Sequence, residues 1–191
     1  MKKCFVALLG FVLLVTGVIA EEQTVKWTSL FNSTNLDGWV KMNDGVFTAT
    51  NGVIHIEGGK GWLRTERMFT NFVLEVEWRG LETNYNSGIF VRAPLDGKPW
   101  MTNVWQVNTK QSAIGELLEG SKKMVTTTTK ARPAGEWIKF RVEARGHELT
   151  LDVGGQRIWN FSNFAVSSGY LGLQAEGKTF EFRNLTVIDL P

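Results

Sequence analysis

Residues 72–79 alternate without a break: Phe72, Leu74, Val76 and Trp78 share one parity, Val73, Glu75, Glu77 and Arg79 the other. A period of two belongs to a strand with one buried face; on a helix it would scatter the apolar residues around the axis. The period returns at residues 53–57, 86–92, 104–108, 137–144 and 170–175. Asn51-Gly52 and Gly154-Gly155 are two-residue hairpin signals between such segments. In the last segment Phe180 and Phe182 have one parity, Leu185 and Val187 the other, which predicts a bulge near Arg183-Asn184. No amphipathic helix of useful length follows residue 20. Many short strands joined by hairpins predict an all-β fold, an antiparallel sandwich of two sheets. Its core should hold Phe72, Leu74, Val76, Ile89, Val91, Phe140, Val142, Leu171 and Leu173. Residues 110–136 break the pattern, with a helical turn over 112–119 and a threonine run. They are expected to rim or cover one end of a site.

The N-terminus reads as a leader. Met1-Lys2-Lys3 is basic, residues 5–15 are apolar, and Val18-Ile19-Ala20 suits cleavage after Ala20. The apolar run is short for a membrane span. The expectation is a signal peptide over 1–20, one domain over 21–191, and an exported chain, periplasmic or secreted. Cys4, the only cysteine, would leave with the leader, which excludes disulfides, thiolate metal sites and a cysteine nucleophile from the mature domain. With Lys2 and Lys3 removed from the 21 basic residues, 19 remain against 19 acidic ones. A neutral chain argues against a nucleic-acid partner and against electrostatic membrane binding. Oligomeric state is not legible.

The strand 86–92 is the most suggestive place for a site. Gly88 leaves room for a ligand or another backbone on the face that alternation gives to Phe90 and Arg92. Arg92 offers a rigid fork of donors for a carboxylate or paired sugar oxygens, and Asn86 adds an amide at the strand's entry. Alternation brings Gln106 to the corresponding face of the next strand. Gln174 lies opposite Leu173 and Ala175, with Glu176 at its own parity. Arg92, Gln106, Gln174 and Glu176 are expected to converge, with Glu77 and Arg79 as neighbours. Trp62 and Trp100, near glycine or proline turns, are the tryptophans expected to be exposed for stacking on a sugar. Glu75 and Glu77, two apart on one face, could instead serve as the paired acids of a glycosidase. His55 and His147 lack partners at metal spacing and read as surface residues. Phosphate-loop and serine-nucleophile signatures are missing.

Six ordered segments carry a resemblance: LFNSTNLDGW (30–39), GWLRTER (61–67), NFVLEVEWR (71–79), NSGIFVRAP (86–94), GEWIKFRVEARG (135–146) and GYLGLQAEGKTFEFRNLTVIDL (169–190). Together they resemble the 3-keto-disaccharide hydrolase family, also described as 3-keto-glucoside lyase and 3-keto-2-hydroxy-glucal hydratase. The resemblance implies a concanavalin A-like jelly roll with a sugar site on one face. It implies cleavage of 3-keto-glycosides: a base removes the C2 proton, the enolate expels the C1 substituent, and water adds back. On this reading Arg92 holds the ketone oxygen, Glu176 is the base and Glu77 the second choice. Asn86, Gln106, Gln174, Arg79, Trp62 and Arg64 bind the sugar. Relatives carry Glu-x-Gln followed by Asp on the strand after NSG; here Gln106 is kept, while Val104 and Thr109 stand at the acidic positions. If those acids are catalytic or metal-binding in relatives, this chain lacks them. A divalent metal is thereby left open, and no other cofactor is identified. A non-catalytic carbohydrate-binding module of the same fold is the alternative.

Overall fold

The structure, a computed structural model, describes residues 26–95 and 104–191. The expected leader, Cys4 and Trp100 lie outside the described residues.

Two antiparallel sheets account for the described chain. In spatial order the first runs β13 (Gln156–Phe161), β12 (Glu148–Val153), β11 (Ile138–Arg145), β6 (Phe72–Gly80), β15 (Phe180–Asp189), β4 (Val53–Gly58) and β3 (Val46–Thr50). A short β1 (Thr28–Ser29) also pairs with β15. The second sheet runs β10 (Lys122–Val125), β9 (Leu117–Glu119), β8 (Trp105–Asn108), β7 (Gly88–Ala93), β14 (Gly169–Glu176), β5 (Lys60–Phe69) and β2 (Trp39–Asn43). The predicted hairpin turns carry the left-handed backbone they require: Asn51 and Gly52 at φ 51° and 78°, Gly154 and Gly155 at 58° and 85°.

The core lies between the sheets, and all nine residues expected there are buried in it. Phe72, Leu74, Val76 and Trp78 of β6 face it, and Trp78 packs edge-on against Tyr85 and Phe140. The predicted irregularity in β15 is present: its register to β6 shifts between Arg183 and Thr186, with Asn184 at φ 52°. Within residues 110–136, which line one side of a cavity described below, the secondary structure differs from expectation. The segment read as a helical turn contains β9, which with β10 extends the second sheet, because backbone pairing along β8 outweighs local helical preference.

Candidate functional site

The outer face of the second sheet collects a small apolar floor and a polar cavity. Trp62, Phe90, Ala93 and Val104 pack together there, apart from the main core, with Met42 and Tyr170 against them. Beside this floor is a cavity of about 360 Å³, lined by Asn86, Gln106, Asn108, Glu116, Gln174 and Glu176, with Lys110 and Lys123 on its rim. That volume falls in the range of small-molecule sites.

Three strands position the polar groups. Gln106 on β8 lies opposite Phe90 on β7, and Gly88 lies opposite Asn108. Gln174 comes from β14, across β7. A side chain at position 88 would collide with Gln106: its Cβ would fall 1.9 Å from Gln106 Nε2. The space left by Gly88 therefore admits the Gln106 amide. Gln106 Nε2 donates to Gln174 Oε1 at 2.9 Å, and Gln174 Nε2 donates to Glu176 Oε2 at 3.0 Å. Ser87, fully buried, donates its hydroxyl to the Gln174 carbonyl at 2.6 Å and ties β7 to β14. The result is an amide–amide–carboxylate chain across the cavity wall.

A second carboxylate faces this chain. Glu116, just before β9, is buried, and its backbone carbonyl accepts from Asn108 N–H at 2.9 Å. Lys123 Nζ sits 3.1 Å from Glu116 Oε1, while Glu116 Oε2 is buried without a hydrogen-bond partner. Glu116, Asn108, Lys110 and Lys123 were missed by the sequence reading. Asn108 shares parity with Gln106, a usable signal; Glu116 was hidden by the helical reading of its segment.

Asn86, Gln106, Gln174 and Glu176 are brought together as expected, but Arg92 is not among them. Between its pairings with Gly172 and Tyr170, β7 carries one extra residue, and Arg92 adopts φ 48°. This bulge turns Arg92 inward, off the face of Phe90. Its guanidinium is buried and donates to the carbonyls of Thr70 (2.6 Å), Gly146 (2.7 Å) and Val166 (2.6 Å), 4.9 Å above the Phe164 ring. Burial pulls its pKa below the ordinary guanidinium value. No carboxylate is among these partners, and three loops at one end of the sandwich are tied together.

Glu77 and Arg79 lie on the outer face of the other sheet, because β6 belongs to that sheet. Arg183 Nε donates to Glu77 at 2.7 Å, and Arg79 Nε donates to Glu181 at 2.6 Å. Both guanidiniums lie over the Trp137 ring. Burial pushes the Glu77 carboxyl pKa up, but the bonds from Arg183 and Asn184 and the charges of Arg183 and Lys139 outweigh it and hold it below the usual value. Glu75 is paired with Lys139 at 2.7 Å. Each acid of the expected glycosidase pair is thus engaged by a cation.

Trp62 faces the cavity side as its parity requires, but it is buried against the Phe90 edge rather than exposed. Gly172 makes the room: a Cβ there would lie 2.5 Å from the indole. Arg64 shares this face, lying 4.5 Å over the Tyr170 ring with Nη1 donating to Thr65 O at 2.8 Å. At the departures from the family pattern, Val104 joins the apolar floor and Thr109 is buried with its hydroxyl unpartnered. Among the described residues no three His, Cys, Asp or Glu side chains come together to hold a metal ion.

Known structures share the architecture. A protein designated a glycosyl hydrolase from Parabacteroides distasonis ATCC 8503 superimposes with TM-score 0.72 at 20% identity, over 86% of this chain and 94% of that one. A second from the same organism gives 0.71 at 19%, over 86% and 100%. The carbohydrate-binding module CBM66 from Bacillus subtilis gives 0.69 at 15%, over 80% and 96%. At these identities the likeness shows the fold, a jelly roll of the galectin-like kind. Comparison with curated proteins found no match. The sequence profile of one family, described as the 3-keto-alpha-glucoside-1,2-lyase-like domain, matches residues 26–188, nearly the whole chain. The chain belongs to that family.

Proposed function

We propose that this chain is an exported enzyme that cleaves 3-keto-glycosides in the cavity on the outer face of the second sheet. The observation that carries this reading is the hydrogen-bonded chain Gln106–Gln174–Glu176 along the wall of a cavity of about 360 Å³. Amide side chains both donate and accept, which suits sugar hydroxyls, and a carboxylate beside them can take a proton.

In this reading Glu176 removes the proton from C2, acidified by the ketone at C3. The C2–H electrons form the C2–C3 enolate. As the ketone re-forms, the C1–C2 double bond appears and the C1–O bond breaks. The departing oxygen takes a proton, giving an alcohol and a 3-keto-2-hydroxy-glucal. Water then adds its oxygen to C1 and a proton to C2. The enolate oxygen needs a donor or a positive charge. Arg92 lies too far inside the fold for this; Lys110 on the rim is the cation at hand, since Lys123 is paired with Glu116. Asn86, Gln106 and Gln174 hold the ring.

A binding module without turnover is the second reading. Val104 in the apolar floor and Thr109 buried at the usual acidic positions favour it. Incubating the protein with methyl 3-keto-α-glucoside and with methyl α-glucoside separates the two. Cleavage of the ketone alone supports the enzyme, whereas binding without cleavage of either supports the module. Cleavage of the parent would remove the enolate chemistry from consideration.

A further inference from the structure

We infer that Glu116 is a sugar-gripping carboxylate, accepting hydrogen bonds from ring hydroxyls through Oε2 while Lys123 holds Oε1. The inference rests on the cavity being the sugar site, as proposed above, but not on turnover there.

Three observations carry it. Glu116 lines the cavity together with Gln106, Asn108, Gln174 and Glu176. Its side chain is only 9% exposed, and Lys123 Nζ approaches Oε1 at 3.1 Å from the neighbouring strand β10. Oε2 is buried and meets no donor. An ionised carboxylate has about four acceptor positions, and a buried oxygen left without a donor is costly to keep. Lys123, itself 58% exposed, satisfies one oxygen and keeps the charge. The last torsion of a glutamate is soft, so the carboxylate can turn Oε2 toward the cavity that Glu116 lines while the exposed Lys123 follows Oε1.

The backbone fixes this carboxylate in place. Asn108 N–H donates to the Glu116 carbonyl at 2.9 Å, and Gly115 N–H donates to the Asn108 carbonyl at 2.8 Å. Gly115, at φ 79°, makes the turn that leads into Glu116. Glu116 is therefore held opposite Asn108, whose side chain shares the cavity wall. Asn108 Oδ1 already accepts from Lys110 N–H at 2.9 Å, so the pair offers an acceptor on Glu116 and the amide donor of Asn108 at adjacent points, which vicinal hydroxyls can match because each both donates and accepts. The ligand class is a neutral, hydroxyl-bearing pyranose, with Glu116 and Asn108 gripping the side of the ring away from Glu176.

The test titrates the protein with methyl α-glucoside and with methyl 3-keto-α-glucoside, following binding by calorimetry and turnover separately. Glu116→Gln keeps the shape but replaces an acceptor oxygen by a donor. It should weaken binding of both sugars roughly ten- to a hundredfold, the range for a hydrogen bond to a charged group. For the ketone, KM should rise and kcat stay within about twofold. The thermal midpoint serves as the fold control, and the wild type supplies a second measurement: the amide signals of Glu116 and Asn108 should shift as sugar is added. Unchanged binding by Glu116→Gln, or unmoved amide signals at saturating sugar, overturns the inference. A wild type that binds both sugars and cleaves neither overturns the enzymatic reading and leaves Glu116 in its role.

Discussion

Arg92 is buried, with Nε and Nη1 donating to three carbonyls from three loops and Nη2 to Asn71 Oδ1 at 3.4 Å, an arrangement that turns it away from a substrate. Removing it should break those three part-buried bonds, each to a charged donor and worth about 1.5–3 kcal/mol at most, and leave a cavity where the guanidinium lay. Arg92→Ala is therefore expected to lower the unfolding free energy by at least about 3 kcal/mol in a denaturant titration. Arg92→Lys should recover only part, because an ammonium lacks the planar fork. Neither should alter sugar affinity in the protein that remains folded. The sequence could not reveal this placement: alternation assigned Arg92 to the face of Phe90, and one extra residue in β7 reversed it. Gln106, Gln174 and Glu176 were legible from parity alone, because the register shifts in the pairings of β14 fall between Tyr170 and Gly172, ahead of Gln174.

Two glycines decide what the elements β7 and β14 can carry. Gly172 admits the Trp62 ring and Gly88 admits the Gln106 amide. Gly172→Ala would press on a rigid indole, and the expected cost is about 1–3 kcal/mol, read as a lowered thermal midpoint. Gly88→Ala meets a flexible side chain instead. It should displace Gln106 from Gln174, costing sugar affinity more than stability, as paired calorimetric and thermal titrations would show. The strands themselves were readable wherever one face is apolar, as in β6 and β11. The pair β9 and β10 was not, since strands of three and four residues with mixed burial at the end of a sheet carry no clean period. Glu116 went unseen with them, so half of the cavity wall was hidden while the other half was legible.

At the scale of the molecule the two sheets divide the labour. The outer face of the first holds ion pairs among Glu75, Lys139, Glu77, Arg183, Arg79 and Glu181; that of the second holds the cavity. Glu77 links this division to pH. Its folded pKa is depressed, so its contribution is complete above the ordinary carboxylate value of 4.5 and fades as pH falls through the lower folded value. The wild type should lose stability below about pH 4.5, and Glu77→Gln should flatten that acid limb without changing sugar binding. Its own neutral-pH stability should fall. The central claim, that a ketosugar reacts here through its C2 proton, is tested most directly by turnover of methyl 3-keto-α-glucoside in deuterium oxide. Proton NMR then reads the hydrogen at C2 of the 3-keto-glucose formed. Elimination and rehydration predict deuterium at C2 in step with turnover, beyond an enzyme-free control, and a rate cut sharply by Glu176→Gln. Product that retains its C2 proton would contradict the account, because direct displacement at C1 never breaks that bond.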